Sequence, residues 1–323
     1  MLKKSRKMKK ELVHKMNIAV FGSTGFVGNY LIECLVKENY KVRTLIRKQS
    51  ISKLNSFDNV KTIEGHINDN SSVEKTIDES EVIIYNIGII REFRRKNITY
   101  ENLHYQAFKN VIDIAKKKSI RKIILMSANG SKNNGTAYQT TKWRAEQELV
   151  NSGLEYTIFK PSLIFGKPMH ESQPEFCTQL KRDMISLPLP APLFHEGILP
   201  LNAGNFQLTP IHVKNVSEFF VKALRKNECA NQIYELGGTK SYTWREIIKL
   251  ISSACNKTKL MIPAPVSVVK LIASIFEGIE SFPITKDQLT MLMEGNVVNQ
   301  EYFKEFDIVP IEFNKDSLKY LNR

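Results

Sequence analysis

Tyr138 and Lys142 stand four residues apart in Tyr138-Gln139-Thr140-Thr141-Lys142, a spacing that puts both on one face of a helix. A tyrosine beside a cation can exchange a proton with a carbonyl or alcohol oxygen, because the charge draws the phenol down from its usual pKa of about 10. Tyr105/Lys109 and Tyr156/Lys160 share the spacing, and context separates the three. Tyr156 to Lys160 reads as a strand, where residues four apart stand roughly 13 Å from each other. Tyr105 falls inside an amphipathic helical pattern with no hydroxyl at a preceding strand end. Only Tyr138 follows an apolar run, Lys122-Ile123-Ile124-Leu125-Met126, that ends on a hydroxyl, Ser127. Strand ends are where parallel-sheet enzymes place their sites. Ser127, Tyr138 and Lys142 are therefore the candidate catalytic residues.

A second cluster, Gly22-Ser23-Thr24-Gly25-Phe26-Val27-Gly28, lies between the apolar run Asn17–Phe21 and the helical spacing of Val27, Leu31 and Leu35. Glycines at these points allow a tight turn, close approach of backbone to a diphosphate, and tight packing of helix on strand. The helix start then offers unpaired N–H groups to the phosphates. A dinucleotide's ribose 2′-hydroxyl is usually met by a carboxylate about 20 residues on; this chain instead has Ile46-Arg47-Lys48. Arg47 can grip a 2′-phosphate with two parallel hydrogen bonds, so NADP(H) is expected over NAD(H), which stays as the alternative. On this basis Ser127 polarises the substrate oxygen, Tyr138 exchanges its proton, and Lys142 holds the nicotinamide ribose while acidifying Tyr138.

The elements that must carry these residues alternate. Strand patterns at 17–21, 41–46, 60–63, 82–86, 122–126 and 156–159 are separated by helical ones, including 73–77, 105–117 and 137–150. That alternation specifies an α/β fold, a Rossmann-type doubly wound parallel sheet covered on both faces. After Phe165-Gly166 the regularity ends. Residues 167–210, with seven prolines, read as loops and short helices; Ile233–Leu236 reads as a strand, and Thr243 with Glu246 as a capping box. Residues 266–280 carry a polar stripe (Ser267, Lys270, Ser274, Glu277) on an otherwise apolar helix, expected to pack against the domain, with a membrane-surface helix as the alternative. The expected organisation is a basic tail at 1–15, a dinucleotide-binding domain at 16–166, and a smaller C-terminal α/β substrate region at 167–323, partly interleaved with the sheet.

The glycine spacing G-x-x-G-x-x-G and the Ser127/Tyr138/Lys142 set resemble those of the atypical and extended short-chain dehydrogenases/reductases. Asn86-Ile87-Gly88 is similar to that family's Asn-Ala-Gly segment along the cofactor, which implies contacts from Asn86 and Gly88. Lys160-Pro161-Ser162-Leu163-Ile164-Phe165-Gly166 resembles its Arg-Pro-Ser-x-Ile-Phe-Gly stretch beside the nicotinamide, which implies contacts from Pro161 and Ser162, with Lys160 in place of the arginine. His66-Ile67 stands where relatives carry an Asp-hydrophobic pair at the adenine. Thr209–Val216, Tyr234–Gly238, Thr285–Leu289 and Asn296–Val298 resemble the 39-kDa accessory subunit family of respiratory complex I and its stand-alone bacterial relatives. The resemblance runs from Met16 nearly to the C-terminus. It implies either hydride transfer to or from a small carbonyl or alcohol substrate (or epimerase-like chemistry), or a non-catalytic NADPH-binding structural or assembly role at the periphery of a membrane complex.

Composition sets the remaining bounds. The 323 residues are 42% hydrophobic and 25% charged, which excludes a wholly disordered chain. Cys34, Cys177, Cys229 and Cys255 form no C-x-x-C pair, which argues against a disulfide scaffold or zinc site and fits a reducing, cytoplasmic setting. The net charge is +14, of which residues 1–15 supply +6. That tail has no apolar core, so it is not read as a signal peptide, and nucleic acid is not expected as a partner. The histidines show no metal-ligand spacing.

Overall fold

The computed structural model of the chain describes residues 16–276 and 284–322; the basic tail lies outside them. Its strands are Asn17–Phe21 (β1), Lys41–Ile46 (β2), Val60–Glu64 (β3), Val82–Tyr85 (β4), Lys122–Met126 (β5), Glu155–Pro161 (β6), Ile164–Phe165 (β7), Ala191–His195 (β8), Gln207–Leu208 (β9), Ile211–His212 (β10), Gln232–Leu236 (β11), Tyr242–Thr243 (β12) and Met261–Pro265 (β13). The helices are Phe26–Lys37 (α1), Asn70–Ile77 (α2), Ala107–Lys117 (α3), Ala137–Val150 (α4), Phe176–Leu180 (α5), Val213–Ala223 (α6), Trp244–Ala254 (α7), Val266–Phe276 (α8) and Lys286–Glu294 (α9).

Seven strands form one parallel sheet in the order β3-β2-β1-β4-β5-β6-β11. The strand order reverses between β1 and β4, and the carboxyl ends of the strands at such a reversal are where open α/β sheets bind ligands. The continuous apolar runs follow from burial on both faces. Ile18, Val20, Ile84 and Ile124 pack under α1 and α6; Ala19, Phe21, Ile83, Tyr85 and Leu125 pack under α2, α3 and α4. A separate core around Trp244, Ile247, Ile251 and Leu318 holds the C-terminal part.

Three features depart from the sequence expectations. The helix expected from Tyr105 instead begins with a π-helical turn, Glu101–Gln106, before α3; such widened turns concentrate at functional sites. Within 167–210, β8 pairs in parallel with β13, Ala191 opposite Met261. Pro192, Pro263 and Pro265 mask these strands in the sequence, since proline is confined to edge strands, and both are edges. Third, α8 packs through Val266 and Ala273 while Val268, Leu271, Ile272 and Ile275 on the opposite side stand exposed, so domain packing accounts for only one of its faces.

Candidate active site

The three loop glycines differ in what they must accommodate. Gly22 has φ +95°, and a Cβ there would stand 2.8 Å from the Asn86 carbonyl carbon and oxygen. A Cβ on Gly28 would stand 2.0 Å from the Gly22 oxygen. The protein's own backbone forbids side chains at both. Around Gly25 the nearest atom to an added Cβ is the Gly22 oxygen at 3.4 Å, and the residue is exposed. Gly25 is also the N-cap of α1, with no capping side chain and no acid in the first turn. The N–H groups of Phe26, Val27 and Gly28 therefore lack intrahelical acceptors, and with the exposed Gly25 beside them they form a cradle that fits a dinucleotide's diphosphate.

Around the cradle, Ser23 and Val27 are buried, Ser23 Oγ lying 2.7 Å from Thr44 Oγ1, so these two can meet a ligand only through backbone. Thr24 and Phe26 are half-buried on its rim. Gln173, which sequence reasoning missed, donates to the Thr24 and Gly25 carbonyls at 3.2 Å and accepts from the Met169 and His170 N–H groups. It ties the 167–175 segment to the glycine loop. Replacing Gln173 with Ala should lower unfolding free energy by about 2 kcal/mol, read as a shift of the urea midpoint at unchanged slope.

Arg47 is exposed just past β2 and makes no side-chain bond or ion pair among the described residues. His66, exposed just past β3, accepts the Asn68 N–H at Nδ1 (3.2 Å), whereas Ile67 is buried in the core. Asn86 continues the β1–β4 ladder by donating its N–H to the Phe21 carbonyl (2.9 Å), and its buried Oδ1 has no partner. Pro161 accepts from the Asn129 N–H (3.0 Å). Ser162 is buried and donates its hydroxyl to the Thr209 carbonyl, joining the end of β6 to the C-terminal part.

Helix α4, started by a Thr136/Gln139 capping box, presents Tyr138, Lys142 and Glu146 one turn apart on one face. Lys142 Nζ donates to the Met126 carbonyl (3.1 Å) and the Ile87 carbonyl (3.4 Å), bridging the ends of β5 and β4. A Cβ at Gly88 would come within 3.4 Å of that ammonium. Burial draws the Lys142 pKa down to about 8 against the opposing pull of Glu146. Tyr138 sets its ring edge-on to His104 (5.2 Å) and Tyr100 (5.6 Å), and its hydroxyl has no protein partner among the described residues. Burial pushes its pKa up to about 12. Acidification by Lys142, expected from the spacing, is thus not met in this state: the ammonium is turned to two carbonyls and desolvation of the ring dominates.

Ser127 donates its hydroxyl to Glu146 Oε1. The same oxygen accepts from Ser131, and Lys160 Nζ stands 3.5 Å from Oε2. Glu146 is buried, and its place one turn beyond Lys142 was the available sequence signal. His104, on the π-helical turn, is also buried. It accepts the Ile89 N–H at Nε2 (3.1 Å), which leaves Nδ1 to donate to Thr141 Oγ1 (3.2 Å). Burial and the nearby Lys142 charge hold its pKa well below the usual value, so it is a neutral prop under Tyr138. From the C-terminal part, Gln288 donates to the Ile90 carbonyl (3.0 Å), and Glu294 accepts from Gln139 (2.8 Å). Tyr105 and Lys109, the competing pair, both bind Glu148.

Residues 22–181 match the family model described as NAD(P)H-binding. Over 310 residues the chain is 25% identical to the mitochondrial NADH-ubiquinone oxidoreductase 40 kDa subunit of Neurospora crassa, covering 94% of this chain and 78% of that one. It is 23% identical to the mitochondrial NADH dehydrogenase [ubiquinone] 1 alpha subcomplex subunit 9 of Arabidopsis thaliana, covering 94% and 76%. The fold matches the crystal structure of Thermotoga maritima UDP-glucose 4-epimerase with a TM-score of 0.69 at 17% identity, over 95% of this chain and 97% of that one. Residues 22–181 are thus an NAD(P)H-binding family domain, carried in a chain homologous over most of its length to these complex I subunits.

Proposed function

We propose that this protein is an NADP(H)-dependent oxidoreductase acting on a small carbonyl or alcohol substrate. The observation that carries this reading is the unpartnered hydroxyl of Tyr138, whose ring packs edge-on against the stacked Tyr100/His104 pair, one helical turn from a lysine fixed at the ends of β4 and β5. The N–H groups of Phe26, Val27 and Gly28 at the start of α1 would hold the diphosphate, Arg47 would hold the 2′-phosphate, and His66 and Ile67 would border the adenine. Asn86, Gly88, Pro161 and Ser162 line the nicotinamide half. When bound, the nicotinamide supplies or accepts a hydride. Lys142 exchanges a carbonyl bond for the ribose hydroxyls, and Tyr138 delivers or takes the proton at the substrate oxygen. Ser127 has committed its own proton to Glu146, so Tyr138 is the one proton donor of this trio at that oxygen and Ser127 orients from the side. The 167–323 region supplies the substrate surface.

Arg47→Ala should weaken NADPH binding roughly 10- to 100-fold and leave NADH unchanged, because a charge-assisted phosphate contact contributes about 1.5–3 kcal/mol. Thermal-shift titration with the phosphorylated and non-phosphorylated nucleotides reads this directly; equal stabilisation by both in the unaltered protein would overturn the NADP(H) preference.

A second reading is that the nucleotide serves the fold, in a subunit or assembly protein docked at the edge of a membrane complex. The names of the complex I relatives favour it, as does Cyanophora paradoxa Ycf39, a photosystem II assembly factor 23% identical over 257 residues. No helix among the described residues is long and apolar enough to cross a membrane, so such docking would be peripheral. Copurification with a membrane complex, and no oxidation of bound NADPH by a panel of carbonyl compounds, would decide for it.

A further inference from the structure

We propose that the outer face of β13 and α8 is a lipid-docking surface, which lays this protein on an anionic bilayer. The inference is independent of whether the nucleotide site turns over. Leu260 and Ile262 on the strand, then Val268, Leu271, Ile272 and Ile275 on the helix, are all exposed, Leu271 and Ile275 by 63% and 67%. They lie on one continuous segment, and the four on α8 share the side opposite the buried Val266 and Ala273. Outside the Ser267/Lys270/Ser274 stripe α8 is apolar, and such surface is normally buried, so the side that carries these four residues lacks its cover.

The chemistry of the face selects the occupant. All six side chains are aliphatic, whereas the centres of protein interfaces favour Tyr, Trp, Met and Arg. From residue 247 to 276 the sequence holds Lys249, Lys257, Lys259 and Lys270 and no Asp or Glu, a balance that suits anionic headgroups. Lys259 binds the Leu187 carbonyl, and Lys270 acts on Glu294 of α9, which leaves Lys249 and Lys257 as the exposed cations. The next carboxylates in the sequence, Glu277 and Glu280, lie outside the described residues. At eleven residues α8 is about 16 Å long, too short to span a bilayer and suited to lying in its plane, one face on the protein and the other among acyl chains. The register of β8 on β13, with His195 opposite Pro265, also sets the start of the exposed 196–202 loop beside the start of α8; this loop carries Ile198, Leu199 and Leu201 and one carboxylate, Glu196.

The test is co-sedimentation of the full chain with vesicles of phosphatidylcholine plus phosphatidylglycerol, and with phosphatidylcholine alone. The unaltered protein is expected to sediment with the anionic vesicles and to be released by high salt. The Leu271→Ser/Ile275→Ser variant should bind roughly a hundredfold more weakly, while its NADPH thermal shift, which reads folding, is unchanged. A chain lacking residues 1–15 should still bind. Failure of the unaltered protein to sediment overturns the proposal. So does undiminished binding by the double variant, equal binding to neutral vesicles, loss of binding on removing the tail, or a dimer that the double substitution dissolves.

Discussion

Tyr138→Phe should cut turnover by about 10²- to 10⁴-fold, the usual contribution of a positioned general acid, with NADPH affinity within about twofold of the unaltered protein. The phenyl ring keeps the edge-on contacts with Tyr100 and His104, so the pocket wall stays in place and only the hydroxyl is lost. Because burial holds that phenol at about 12, it stays protonated through the neutral range and is ready to donate as the substrate oxygen gains charge. Ser127→Ala should have the smaller effect, since its proton already belongs to Glu146. Steady-state NADPH oxidation against the best substrate of a carbonyl panel provides the measurement. Turnover unaltered in Tyr138→Phe would remove the oxidoreductase assignment and leave the nucleotide a structural role.

Gly25→Ala and Gly28→Ala, three residues apart, should fail in opposite ways. Gly25 sits at φ −76°, ψ 174°, a conformation open to alanine, with no atom nearer than 3.4 Å to the new methyl. Its fold should lose less than about 1 kcal/mol. The methyl would occupy the place of a phosphate, however, and NADPH affinity should drop roughly a hundredfold, or about 2.7 kcal/mol. Gly28→Ala drives a methyl to within 2.0 Å of the Gly22 oxygen, so stability itself should drop by about 3 kcal/mol or more. Thermal denaturation with and without NADPH separates the two. If Gly25→Ala binds normally, the diphosphate does not lie where the cradle is open.

The first half of the fold is legible because its central strands are buried on both faces and so appear as unbroken apolar runs, Ile18 to Phe21 and Val82 to Tyr85 being the clearest, while β2 and the edge strand β3 mix polar residues with apolar ones. The glycine loop is legible for a related reason, since Gly22 and Gly28 answer to close backbone contacts within the same turn or the adjacent strand. What stays hidden depends on partners far along the chain. Nothing local marks Gln173 as the bond to Thr24 and Gly25, and Ser127 reads as a free hydroxyl until the buried Glu146 is seen beside it. The edge strands β8 and β13 are disguised by their prolines. The π-helical turn has no periodic signature, although it is what sets His104 under Tyr138.

The ties from α9 have a consequence for biosynthesis. Gln288 fastens the loop after β4, and Glu294 fastens the start of α4 through Gln139, so two walls of the cleft are clamped by residues translated near the end. The family match ends at residue 181, ahead of α6, which covers the α1 side of the sheet, and ahead of both clamping residues. Ordering of both walls therefore waits for the C-terminal part of the chain, so their rigidity is set late in synthesis.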